Sequence, residues 1–132
     1  GGIVTGTSVK EEVAERILGA VGLAVRARAC VVGTTLSVEK MRADKGELLI
    51  TACDISENTR KRLIGTAEYH HIAYVTTDIP KGTLAHATGK KSDTAAVLLT
   101  DKSFVKIVEK NGIRIHTTNT EVSDLYGSNT EV

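Results

Sequence analysis

At 132 residues, with 41% hydrophobic and only 3% aromatic side chains, the chain suits one domain whose core must be aliphatic. No run approaches the roughly 18 apolar residues of a membrane span, and no charged-then-apolar signal segment is visible, so a cytoplasmic protein without a membrane partner is expected. Net charge is +1, yet residues 115–132 hold three acids and no Lys or Arg, leaving 17 basic against 13 acidic groups elsewhere. A mildly basic folded part permits RNA binding without demanding it.

Gly1 to Thr7 reads as a loose N-terminus. Its GGIVTGTS has P-loop spacing, but Thr7 stands where that motif needs lysine and no strand precedes Gly1, so no nucleotide cofactor is expected. Ser8-Val9-Lys10-Glu11 is a capping box, in which hydroxyl and carboxylate each satisfy an orphan N–H. The helix it opens carries Val13, Ile17, Ala20, Val21 and Ala24 on one stripe, with acids early and Arg26 and Arg28 late. Those two arginines read equally as stabilisers of the helix C-terminus or as phosphate contacts before the Gly33 turn.

The stretch from Val31 to Leu63 organises the rest. Gly33 precedes Thr34 and Thr35, either of which can cap a short helix carrying Leu36, Val38 and Met41. Glu47 to Ala52 is a buried strand, and Ser56 caps a second helix running to about Tyr69, with Arg60, Lys61 and Arg62 on a basic, solvated face. A strand between helix N-termini leaves backbone donors at its rim, where phosphates or polar base edges bind. Cys30 and Cys53 sit in apolar contexts and read as small core residues of a protein in a reducing compartment. His70 and His71 end the second helix; His86 and His116 stand alone, so no metal site is expected.

Ile72 to Thr76 is the next strand, followed by a helix starting at Asp78-Ile79-Pro80 with proline in its first turn and Gly89 as its left-handed cap. Lys90 to Asp93 is a polar loop, Ala95 to Leu99 a strand buried on both faces, and Asp101 or Ser103 the cap of a last helix. From Ile113 the chain turns polar, with one short strand expected at Ile113–Ile115 and Asn-Thr-Glu-Val repeated at 119–122 and 129–132. Alternation of helix and strand with short connections predicts a three-layer α/β/α sandwich around a small mixed four-stranded sheet. The expected boundaries are a flexible 1–7, one domain over 8–114 and a flexible tail over 115–132.

Several stretches together carry a resemblance: ILGAVGLAVRA, VVGTTLSVEKMR, LLITACDISENTRKRL, AEYHHIAYV, and LAHATGK followed by AAVLLTDKSFVKIV. Over roughly Ile17 to Glu109 the chain resembles the kink-turn RNA-binding ribosomal proteins of the L-seven-Ae and L-thirty-e superfamily, most closely the bacterial YlxQ-like branch. The resemblance implies a non-enzymatic binder of structured RNA, a kink-turn or ribosomal RNA, with ribosome or ribonucleoprotein components as further partners. It also implies that Gly33, Thr34, Thr35 and Leu36 dock beside sheared G·A pairs; Arg28 is the basic group left after the first helix, and Lys40 and Arg42 are candidate phosphate contacts on different azimuths of the short helix. On the same ground, Asp54 beside Cys53 borders that surface, and the loop from Gly89 through Thr94, with Gly89, Lys90, Lys91 and Ser92 as its site residues, covers an extruded base.

The archaeal family motif Gly-x-Asn-Glu-x-x-Lys falls on Gly33, Thr35, Leu36 and Glu39, so its two guanine-reading side chains are replaced and its lysine has become an acid. Ala27-Arg28-Ala29 likewise stands where the family has Ala-Gly-Lys. These replacements motivate a rival expectation, a protein-interaction module on the same fold that has lost kink-turn recognition. No Ser-His-Asp order, catalytic carboxylate pair or ligand cluster points to an enzyme.

Overall fold

The computed structural model describes residues 9–110; Gly1–Thr7, the Ser8 cap, the Ile113–Ile115 strand, His116 and the polar tail lie outside them. The described elements run α1 (Val9–Arg26), β1 (Cys30–Val32), α2 (Thr34–Arg42), β2 (Leu48–Thr51), α3 (Glu57–Tyr69), β3 (Ala73–Thr76), α4 (Lys81–Thr88), β4 (Ala96–Leu99) and α5 (Lys102–Lys110). This is the predicted alternation, with β2 two residues and β3 and β4 each one residue shorter than the run that announced it.

The strands lie in the order β1-β4-β2-β3. β4 is antiparallel to both neighbours, while β2 and β3 are parallel, so the sheet is mixed as expected. Side chains alternate across a strand, which divides the apolar runs between two layers. Leu48, Ile50, Val97 and Leu99 meet Ile17, Val21 and Ala24 of α1, Leu84 of α4 and Val108 of α5. Leu49, Ala96 and Leu98 meet Val38 and Met41 of α2 and Leu63 and Ala67 of α3. All of β2 and β4 is buried, because helices cover both faces of these central strands.

Four helices end in one motif. After α1 the Ala29 N–H donates to Ala24 O and Arg28 N–H to Val25 O; Lys45 and Asp44, Ile72 and His71, and Lys90 and Gly89 repeat the pattern after α2, α3 and α4. These are Schellman caps, whose pivotal residue is left-handed. Glycine fills that place only after α4; Arg28 (φ 57°), Asp44 (φ 59°) and His71 (φ 57°) fill it elsewhere.

Candidate nucleic-acid interface

The topology brings three helix N-termini to one edge of the sheet. β1 ends into α2 and β2 into α3 at the same rim, since Val32 and Ile50 both pair with Val97. The Gly33 N–H donates to Ala96 O at 2.8 Å, and the Ala52 N–H to Ala95 O at 2.8 Å, so the start of β4 is fastened between the α2 turn and the end of β2. α4 joins them: the Cys53 N–H donates to Ile79 O, and the Thr94 N–H to Lys81 O.

These N-termini differ in how their amides are satisfied. Ser56 caps α3, its hydroxyl accepting from the Thr59 N–H at 3.1 Å. α4 begins after Pro80, which has no capping side chain, and the Asp54 carboxylate accepts from the Lys81 N–H at 2.7 Å. α2 has no such partner. Its N-cap is Gly33, with φ 100° and ψ 160°, and no side chain caps the helix. The expected Thr34 or Thr35 cap is therefore corrected: the β1 hydrogen bonding holds Gly33 in a conformation essentially reserved for glycine, and Thr34 is already helical. Ser37 N–H donates to Gly33 O, leaving the amides of Thr34, Thr35 and Leu36 without a partner among the described residues, as the first turn of an uncapped helix must. One turn in, the fully buried Ser37 hydroxyl also has no partner among the described residues.

Around this uncapped end stand several of the residues singled out from sequence. Thr35 and Leu36 are exposed, and Leu36 keeps 53% of its surface. Cys53 and Asp54 are exposed at the end of β2, which corrects the reading of Cys53 as core, because the strand stops at Thr51 and the chain turns outward. Asp54 is committed to α4 rather than turned to a ligand. Only Thr94 of the loop after α4 is fastened to the rim; Gly89 (φ 80°) ends α4 about 12 Å along its axis from Lys81, and exposed Lys90, Lys91 and Ser92 lead from there back to the rim.

Two residues do not join them. Arg28 precedes β1 at the other end of the sheet, where Cys30 pairs with Leu99 and the Thr100 N–H donates to Ala29 O. Lys40 is half-buried and lies about 9 Å along the α2 axis from Thr34. Among the described residues no three His, Cys, Asp or Glu side chains are placed to hold a metal ion, and no helix is long and apolar enough to cross a membrane.

Residues 15–109 match the model of the ribosomal protein L7Ae/L30e/S12e/Gadd45 family. An RNA-binding protein YlxQ of Bacillus subtilis is 30% identical over 83 residues, 63% of this chain and 81% of that protein. An RNA-binding protein YlxQ of Enterococcus faecium is 29% identical over 58 residues, 44% of this chain and only 56% of that protein's length. Among solved structures, a Bacillus halodurans protein of unknown function superposes with a TM-score of 0.65 at 24% identity, covering 72% of this chain and 94% of that one. A Giardia lamblia 15.5kD RNA binding protein superposes with a TM-score of 0.63 at 19% identity, covering 83% and 89%. Sequence match and shared fold agree: the chain belongs to the ribosomal protein L7Ae/L30e/S12e/Gadd45 family, on its YlxQ-like branch.

Proposed function

We propose that the chain is a non-enzymatic RNA-binding protein whose rim at α2 docks structured RNA, a kink-turn or a ribosomal RNA element. The observation that carries this reading is the uncapped α2 N-terminus beside two capped ones. Three amides and the positive end of a helix dipole favour phosphates and carbonyl acceptors. Backbone donors need no particular side chain, so they serve even with Thr35 and Leu36 in place of the family's Asn and Glu. The loop from Gly89 to Ser92 covers an extruded base in this reading, and Lys90 and Lys91 take phosphates. The names of the YlxQ relatives support the RNA; the exposed Leu36 supports the rival occupant, a protein partner.

The test is a fluorescence titration of the protein against a duplex-ended kink-turn RNA and the same RNA with its sheared G·A pairs replaced, at two salt concentrations. Tighter binding to the intact motif is expected. Equal, strongly salt-sensitive binding to both would leave only general attraction to phosphates. No binding to either would put the protein-interaction module first. Lys90→Ala and Lys91→Ala should each flatten the logarithmic salt slope by about 0.7–0.9.

A further inference from the structure

A second surface lies outside the rim and goes beyond the reading above. α2 and α3 pack side by side on one face of the sheet. Between the end of α2 and the length of α3 runs an open groove of about 520 Å³, lined by Arg42, Lys61, Arg62, Gly65, Tyr69 and His70, with Thr66 at its wall. No acid lines it. Among the described residues none of Arg42, Lys61 and Arg62 takes part in an ion pair.

Helix-dipole compensation accounts for part of this charge, since Arg42 sits in the last turn of α2. It does not account for Lys61 and Arg62, which lie in the body of α3. Nor does it account for Tyr69, a large ring left 80% exposed, its edge meeting His70 at 5.0 Å and 76°. His70 is itself fixed by the Asp44 carboxylate at 2.9 Å from its Nδ1.

Gly65 is the telling residue. Lys61, Gly65 and Tyr69 follow at intervals of four and so share one face of α3, successive positions about 6 Å apart. A Cβ on Gly65 would meet nothing within 4 Å, and its φ is not positive, so neither packing nor backbone geometry asks for glycine there. In an exposed helix interior that glycine costs about 1 kcal/mol relative to alanine. What it does is leave the groove floor bare between a ring and two cations.

We propose that this groove is a second nucleic-acid contact, taking an unpaired nucleotide of single-stranded RNA: the base stacks on Tyr69, the sugar–phosphate crosses Gly65, and Lys61, Arg62 and Arg42 hold the phosphates. An aromatic platform beside a basic track is how single strands are held without sequence preference.

The experiment is an anisotropy titration of the full chain with fluorescein-labelled decaadenylate RNA at several salt concentrations. Tyr69→Ala is expected to weaken binding roughly 5- to 160-fold, as loss of one stacked base does. Arg62→Ala should lower the logarithmic salt slope by about 0.7. Gly65→Leu should weaken the strand's binding while the fold, read by circular dichroism and thermal melting, is kept. Adenosine monophosphate titrated alone should bind at least tenfold more weakly than the strand. Unchanged affinity in Tyr69→Ala and Gly65→Leu together would overturn the site, and tighter binding of the mononucleotide would overturn the strand as its occupant. The duplex-ended kink-turn RNA tests the rim on the unsubstituted chain, so either surface can fail alone.

Discussion

Arg28 and Gly89 hold the same place in the same motif. Each is the left-handed residue of a Schellman cap, at φ 57° and 80°, one after α1 and the other after α4. Only glycine takes that conformation without crowding its Cβ, and other residues lose about 1 kcal/mol there. Arg28→Gly should therefore raise stability by about 1 kcal/mol and Gly89→Ala lower it by about as much. Urea unfolding at equilibrium reads both. Arg28 lies away from the rim, so a loss of kink-turn affinity in Arg28→Gly would show an RNA contact beyond it.

Gly46 faces a harder constraint. It has φ 118°, and a Cβ placed on it would lie 2.8 Å from a methyl of buried Leu98. Gly46→Ala should destabilise by roughly 2–4 kcal/mol, from backbone strain and overpacking together. A double-mutant cycle with Leu98→Ala separates the two, since the overpacking disappears once the leucine methyls are gone while the strain remains. Strict additivity would mean that the side-chain clash contributes nothing.

Two serines should respond in opposite directions. Ser56 caps α3 through the Thr59 N–H, and Ser56→Ala should cost about 1 kcal/mol. Ser37 buries a hydroxyl without a partner among the described residues, and Ser37→Ala should be neutral or stabilising by about 1 kcal/mol. Thermal denaturation of the pair checks both signs in one experiment.

The cysteines should separate by reactivity. Cys53 is exposed at the rim, whereas Cys30 is half-buried and burial pushes its thiol up from the ordinary value. The thiolate is the nucleophile, so a thiol reagent near pH 8 should modify Cys53 quickly and Cys30 slowly. Raising the pH should speed Cys30 as its thiolate fraction grows. Bound kink-turn RNA should shield Cys53 and leave Cys30 unaffected; equal rates at Cys53 with and without RNA would remove the rim from the contact.

The elements and their order were legible because the apolar runs have the length and period of what they became, and Ser56 and Gly89 announce their turns; between Asp101 and Ser103 the structure decides, since the Ser103 N–H donates to the Asp101 carboxylate. The cap of α2 was not legible, since its answer depends on the Gly33 N–H being taken by Ala96, sixty-three positions on. Arg28 looked close to Gly33 because five positions separate them in the chain, but β1 spends those positions crossing the sheet. Nor could the left-handed Asp44 and His71 be read, for neither carries the glycine that marks such turns. The α2–α3 groove joins Arg42 to Lys61 and Tyr69 across β2, and each half taken alone resembles an ordinary solvated helix face.

The position of β4 bears on how the molecule comes into being. β1 and β2 do not touch as strands; each pairs with β4, which enters between them from near residue 96. During synthesis only the parallel β2–β3 pair can assemble before that segment emerges. Such pairs with distant partners close slowly, because loop entropy must be met first. The growing chain should therefore remain protease-sensitive until residue 99 clears the ribosome, then gain resistance in one step, a transition that pulsed proteolysis of stalled nascent chains can time.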